Sequence, residues 1–487
     1  MSNDLIPETR VLAIASHVVH GYVGNKMATF VMQSLGCDVS AINTVHYSNH
    51  TAYKQIKGTK TTAEEIADLY EGLRQSNLNR FDLLLTGYMP SAAAVEQIGR
   101  IARDLKYNAV TKPGSFFWVL DPVMGDNGKL YIPEDEVPQY KSLLREADLI
   151  LPNQFEAELL SETTITDLDS LAAAIQVLHT TYQVPHVIIT SLRLTRDNQT
   201  LPSRAPSKAP SAAVSGTHTP TESQDKNAET SHPSTWPSSA PLKPQSPVSS
   251  DHVENLTIIG STATSDHKPR LFRIDTPQLP LFFSGTGDMF AALTIPRLIE
   301  AVHSSSTPDL SSKPSWKSPD EVPAEELPLA KACQKVLASM QAILTHTTEK
   351  CQAEMEKYDA LAEKQGCGLG EEAEEERQKK RHLALMNASE VKVVRFIKEL
   401  ADPPNLERFK PRAVDEVDRE KVEKKVLRKE PDQFGVLPLG LGGNDADGGI
   451  QVVGETQGHS SKEEDAPLTE AKAELPGNPW VDESGKS

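Results

Sequence analysis

"DLLLTGYMPSAAAVEQIGRIARDLK", residues 82–106, changes its hydrophobic period part-way along. Leu83–Leu85 form a short apolar run closed by Gly87, which reads as a buried strand. Beyond Pro90 the apolar residues Val95, Ile98, Ala102 and Leu105 recur at helical spacing. The same strand-then-helix unit repeats along the chain. Short apolar runs stand at 11–16 ("VLAIAS"), 38–45 ("DVSAINTV"), 116–123 ("FFWVLDPV"), 148–153 ("DLILPN") and 186–191 ("HVIITS"). Between them lie helical segments such as "TTAEEIADLYEGLRQ", in which Thr62 and Glu65 fit a capping box. Such alternation predicts an α/β fold built from right-handed crossovers, with a mostly parallel sheet covered by helices on both faces. Its ligand site should lie at the carboxyl ends of the strands.

Two strand candidates, "LTIIGST" and "RLFRID", follow residue 255, and then the stretch "LFFSGTGDMFAALT" (281–294) runs from a glycine turn into a helix. A long amphipathic helix comes next, with Leu329, Cys333, Leu337, Met340, Leu344, Cys351 and Met355 on one face, read as ordinary core packing. "NASEVKVVRFIKELADPPNLERF" closes the core near Phe409.

The 487 residues are 38% hydrophobic, below the ~45–50% usual for globular chains, and the shortfall is local. Residues 195–255 hold nine of the 34 prolines and, apart from Trp236, no aromatic residue. Such a segment buries too little apolar surface to offset its ordering entropy, so it is expected to be a disordered Ser/Pro-rich insertion. From Glu430 onward twelve acidic residues face three basic ones, half of the chain's net charge of −18. Residues 416–487 are therefore expected to form a disordered acidic tail. The remainder, expected to form the folded domain, is then two segments, 1–194 and 256–415.

A core near −9 disfavours nucleic acid as a partner. Cys37, Cys333, Cys351 and Cys367 form no metal-ligand spacing and read as reduced thiols. "MSNDLIPETR" has neither a basic nor an apolar leader region, and no apolar run approaches membrane-spanning length. A soluble intracellular protein with no membrane partner is expected, in the cytoplasm and with the nucleus open to it.

Polar residues gather at the strand ends. The first strand ends in Ser16 and His17 and enters "GYVGNK", which matches neither a P-loop nor a dinucleotide fingerprint. The second leads into "HYSNHT"; His46 and His50 lack the glutamate of a zinc motif, and His50 and Thr51 suit recognition of a small polar ligand. Tyr88 suits stacking on a flat ring or a place at the core edge. "DPVMGD" supplies Asp121 and Asp126, "PNQFE" supplies Asn153 and Glu156, and "VIITS" supplies Thr190 and Ser191. Oxygen donors at consecutive strand ends suit Mg²⁺, which takes one or two carboxylates beside substrate phosphates. Asp288, in "SGTGD", then has two readings. It is either the cap of the following helix, or a base that takes the proton of a hydroxyl attacking a phosphate cradled by Gly285, Thr286 and Gly287. With the other strand ends, the second reading describes a small-molecule kinase without a P-loop lysine.

The segments "SHVVHGYVGNKMATF", "NTVHYSNHTAY", "LTGYM", "DPVMGD", "PNQFEAELLS", "VIITS" and "SGTGDMFAA" are similar, in content and order, to the signatures of the pyridoxal kinases of the ribokinase-like superfamily. The resemblance covers about residues 10–194 and 256–410. It implies a three-layer fold and ATP-dependent phosphorylation of the 5'-hydroxymethyl group of pyridoxal, pyridoxine and pyridoxamine, in vitamin B6 salvage, by a homodimer using Mg²⁺ or another divalent cation. It also implies that Ser16, Val23, Thr51 and Tyr88 surround the ring, and that Asp121, Asp126, Asn153, Glu156, Thr190 and Ser191 serve the nucleotide and cation. Gly285–Gly287 would form the anion hole and Asp288 the catalytic base. Asp126 and Glu156 are the expected metal ligands.

Two departures stand out. Leu151 replaces a threonine that animal relatives associate with a monovalent cation, and it offers no side-chain oxygen for K⁺ or Na⁺. The loop "MGDNGKLYIP" is also shorter than in those relatives. A hydroxymethylpyrimidine kinase would share the base and anion hole but not "GYVGN" and "YSNHT". A catalytically silent binding protein of the same fold is disfavoured by an intact "GTGD".

Overall fold

Six parallel strands occupy the middle of a ten-stranded sheet in this computed structural model, which describes residues 6–192, 255–365 and 371–414. In chain order the strands are β1 (Thr9–Val18), β2 (Cys37–Tyr47), β3 (Gly58–Lys60), β4 (Leu83–Thr86), β5 (Phe117–Leu120), β6 (Gly125–Asp126), β7 (Lys129–Leu130), β8 (Leu149–Ile150), β9 (His186–Leu192), β10 (Asn255–Ala263), β11 (Pro269–Pro277) and β12 (Arg412–Ala413). The sheet runs β12-β11-β10-β9-β8-β5-β4-β1-β2-β3, with β6 and β7 as a separate hairpin. Neighbours from β2 to β9 are parallel; β3 at one edge and β10, β11 and β12 at the other are antiparallel. After β1 the chain steps to β2 on one side and then to β4 on the other, so the strand order reverses at β1. In open α/β sheets that reversal marks the ligand crevice.

The helices are α1 (Gly24–Ser34), α2 (Ala63–Gln75), α3 (Ala92–Ala109), α4 (Glu136–Leu143), α5 (Gln154–Ser161), α6 (Leu168–Thr180), α7 (Thr286–His303), α8 (Pro328–Gln365), α9 (Glu371–Ala388) and α10 (Lys398–Ala401). Alternate residues of each strand feed opposite cores. Val11 and Ala13 of β1 and Phe117 and Val119 of β5 pack with α1, α7 and α8; Leu12, Ile14, Trp118 and Leu120 pack with α2 to α6. Three layers result, as the alternating sequence requires. Trp118 is fully buried and donates its indole N–H to Thr86 Oγ1 at 3.0 Å, so its ring fills the core without orphaning its one polar atom.

Local expectations hold where the signal is local. Thr62 and Glu65 form the capping box at the head of α2, and the residues expected on one face of α8 are all buried there. Phe409 is buried as expected. The expected insertion, 195–255, and tail, 416–487, lie outside the described residues, except that Asn255 opens β10.

Candidate active site

Gly285 carries a φ of +81° and precedes α7, and a Cβ placed on it would stand 2.2 Å from the Tyr22 carbonyl oxygen. Only glycine tolerates both demands, so the turn lies directly on the loop between β1 and α1. On the same loop the virtual Cβ of Gly285 is 3.1 Å from Val23 Cγ1, and that of Gly24 would meet Ser16 O at 2.1 Å. Ser16, Val23 and the glycine turn are therefore neighbours.

Asp288 sits in the first turn of α7, whose N-cap is Gly285 and which has no side-chain cap. Gly285 holds the cap position, and Asp288 is the third residue of the helix. Its carboxyl instead receives a backbone hydrogen bond from Gly24, across the crevice; burial raises its pKa from the ordinary carboxylate range and the Gly24 contact partly offsets this. The residue remains partly open to solvent, so access and desolvation coexist.

Behind this turn lies Asp121, at the end of β5, with Oδ2 4.0 Å from where a Gly287 Cβ would be. Burial first, and then the charges of Glu156 and Asp288, hold the Asp121 carboxyl well above its ordinary value. Three carboxylates thus share one desolvated corner. Glu156 is 4% exposed and accepts from three backbone N–H groups: Met124 at 2.8 Å and Gly125 at 3.3 Å on Oε1, and Asn153 at 2.9 Å on Oε2. Burial nonetheless pushes it up to about 7. Asn153 completes the other half of this capping box at the head of α5, accepting from Glu156 N at 3.0 Å and donating from Nδ2 to the Gly125 carbonyl at 2.7 Å. The pair therefore fixes the "DPVMGD" loop onto α5. Asp126, in the β6–β7 hairpin, accepts from the Asn127 backbone at 2.7 Å and Asn127 Nδ2 at 2.9 Å.

Backbone irregularities aim two more candidates. Between β9 and β10 the pairing jumps from Ile189–Ile259 to Leu192–Thr257, which makes a bulge of Thr190 and Ser191, and Ser191 takes a φ of +61°. Thr190 bridges to Asn153. On the other side of the crevice β1 and β2 shift register between Ala15 and His17, at Ser16.

The remaining candidates differ in environment. Tyr88 is half-buried at the edge of the α2–α6 core, and burial raises its phenol. Thr51 opens a 3-10 turn (Thr51–Tyr53). His50 donates from Nε2 to Glu390 Oε1 at 2.9 Å, so its ring is held by a residue that sequence reasoning did not single out. His17 and His46 are edge-on at 5.5 Å. Leu151 is 4% exposed and packs in the core.

Among the described residues no group of three or more His, Cys, Asp or Glu side chains could hold a metal ion, and no helix is long and apolar enough to cross a membrane.

Comparison with known proteins decides the family. A pyridoxal kinase homologue of Schizosaccharomyces pombe is 34% identical over 344 residues, spanning 71% of this chain and 87% of that one. This chain belongs to the pyridoxal kinase family. The family model for phosphomethylpyrimidine kinase matches residues 32–223. Human pyridoxal kinase is 43% identical over 177 residues, which is 35% of this chain and 55% of the human one. The crystal structure of Leishmania donovani pyridoxal kinase in complex with ADP and pyridoxamine superimposes with a TM-score of 0.54 at 25% identity, covering 84% of this chain and 99% of that one. The chain is a kinase of the ribokinase-like fold.

Proposed function

We propose that this kinase transfers the γ-phosphoryl group of ATP to the 5'-hydroxymethyl group of pyridoxal, and also of pyridoxine and pyridoxamine, giving the 5'-phosphates in vitamin B6 salvage. Asp288 takes the proton of the attacking hydroxyl. The backbone N–H groups of Gly285, Thr286 and Gly287, at the positive end of α7, receive the transferring phosphoryl group. Ser16, Val23, Thr51 and Tyr88 border the ring, and Asp121, Asn153, Glu156, Thr190 and Ser191 lie on the nucleotide side. Segments 1–194 and 256–415 make up the kinase domain, which works as a cytoplasmic homodimer.

The main support is the state of Asp288: it caps nothing, it is bonded from Gly24 across the crevice, and its raised pKa brings a carboxylate closer to useful basicity near neutral pH. Binding of ADP and pyridoxamine by the L. donovani enzyme supports the substrate pair.

Two carboxylates are enough for a divalent cation whose remaining positions are filled by water and substrate phosphates. A carboxylate has about four lone-pair positions, and Glu156 spends two on Oε1 and one on Oε2. The position left on Oε2, with Asp126, would hold Mg²⁺, which would neutralise phosphate charge and relieve the repulsion at Asp121.

One second reading is phosphorylation of hydroxymethylpyrimidine, a pyrimidine related to the one named by the matching phosphomethylpyrimidine kinase model. Measuring ATP consumption by the purified chain with each B6 vitamer and with hydroxymethylpyrimidine tests both. Turnover with vitamers is expected; turnover with the pyrimidine alone would overturn the assignment.

A further inference from the structure

The carboxylate of Glu390 joins two loops that are far apart in sequence. Oε1 accepts from His50 Nε2 at 2.9 Å and from the Tyr53 hydroxyl at 3.0 Å, and Oε2 accepts from the Tyr22 backbone N–H at 3.3 Å. His50 and Tyr53 belong to the loop after β2 that carries Thr51. Tyr22 belongs to the loop after β1 that carries Val23 and runs against the glycine turn. Two further contacts, from α9 just before Glu390, reinforce the seam: Asn387 Oδ1 lies 3.1 Å from His20 Nε2, and His382 Nε2 lies 2.8 Å from the Ala52 carbonyl oxygen.

The contact is enclosed. The side chains of His50 and Glu390 are each 9% exposed, so the pair is only weakly screened by solvent. Burial alone would raise the Glu390 carboxyl, but His50, Tyr53 and the Tyr22 N–H together hold it below its ordinary range. His50 Nδ1 is sealed from solvent and has no hydrogen-bond partner among the described residues, so Glu390 is the hydrogen bond that sets the ring's orientation. The chain has also left room for this carboxylate. A Cβ on Gly21, whose φ is +95°, would stand 2.6 Å from Glu390 Oε1.

We propose that Glu390 is a positioning residue for the vitamer site, holding the Tyr22–Val23 loop and the His50–Thr51 loop at their working separation, so that the site is completed by the turn that follows α9. This rests on the vitamer kinase reading above. An ionised carboxylate is acceptor-only and satisfies all three donors at once. Glutamine cannot, because its NH₂ must face one of them.

Steady-state kinetics on full-length wild type, Glu390→Gln, Tyr53→Phe and the double variant test this, with circular dichroism and melting curves on the same preparations. Glu390→Gln is expected to raise KM for pyridoxal about 10-fold, as loss of a buried charged hydrogen bond implies. KM for ATP should stay within about two-fold of wild type, and kcat should fall less than KM rises. Tyr53→Phe should give a smaller rise, and the double variant less than the product of the two, because both changes break one hub. A Glu390→Gln protein that melts lower but keeps wild-type KM for pyridoxal would overturn the inference, as would equal rises in the KM values of pyridoxal and ATP. Should Glu390→Gln fail to fold, Tyr53→Phe decides alone: an unchanged KM for pyridoxal sinks the proposal, and a selective rise sustains it. A wild type inactive on every vitamer defeats the kinase reading instead, so the two failures are distinguishable.

Discussion

Gly285 approaches Tyr22 so closely that a single added carbon would lie 2.2 Å from the Tyr22 carbonyl oxygen. The glycine turn and the first βα loop are therefore in direct backbone contact, and replacing Gly285 disturbs both. Gly285→Ala combines a left-handed backbone, which costs about 1–2 kcal/mol for a non-glycine residue, with a backbone clash. Turnover should fall about 10²-fold, the scale of one displaced oxyanion donor. Kinetics alongside a melting curve check this; an alanine variant with wild-type kcat would remove the turn from the mechanism.

The Asn153–Glu156 capping box predicts a link between helix stability and nucleotide binding. Asn153→Ala removes a helix cap and the Gly125 contact, at a cost of about 0.5–2 kcal/mol. KM for ATP should rise while KM for pyridoxal holds. Equal changes in both would place Asn153 outside the nucleotide side.

Glu156 also predicts a pH dependence. Its folded pKa of about 7 lies above the ordinary 4.5, so the native state binds its proton more tightly than the unfolded chain does. The stability this group contributes is full below about 4.5 and is lost as pH rises through about 7. Denaturant unfolding of wild type and Glu156→Gln at a series of pH values reads the effect of Glu156 together with that of Asp121, which its charge raises. Wild type should gain on the variant as pH falls from about 7.5 to 5. A constant gap would show that Glu156 titrates normally.

Leu151 is a buried hydrocarbon and offers no side-chain oxygen to a cation. Wild type should show little preference for K⁺ over a bulky organic cation, and Leu151→Thr should show more. Strong K⁺ activation of the wild type would mean that other groups serve the cation.

Leu192 of β9 pairs opposite Thr257 of β10, so these antiparallel strands can be joined by a short hairpin. Deleting residues 197–252 should leave turnover within a few-fold of wild type, since loop-closure entropy varies slowly with length. A folded deletion variant with little activity would give that segment a role in the reaction.

How far the sequence could be read depended on distance along the chain. Thr62 and Glu65 are three apart, and a capping box is a local interaction, so the start of α2 was legible. The apolar run at Val11–Ile14 was legible as a strand covered on both faces for the same reason, while the division of its residues between two cores came from the structure. Asp288 was ambiguous because a cap and a base look alike in one dimension, and its bond from Gly24, far away in sequence, could not be read from either motif. Glu390 lay hidden inside "NASE", since nothing near it signals His50, 340 positions away. The bulge at Thr190–Ser191 and the two-residue strands β6 and β7 escaped for another reason. Their backbone is set by pairing and by Glu156, not by their own propensities.

Asp288 itself offers the most direct test. Asn keeps its size and its capacity to accept from Gly24 but cannot take a proton, and general-base catalysis typically contributes about 10²- to 10⁴-fold. Turnover of pyridoxal by Asp288→Asn should fall by that factor, while melting temperature and ATP affinity, measured on the same preparation, stay close to wild type. Turnover within a few-fold of wild type would contradict the assignment of Asp288 as the base.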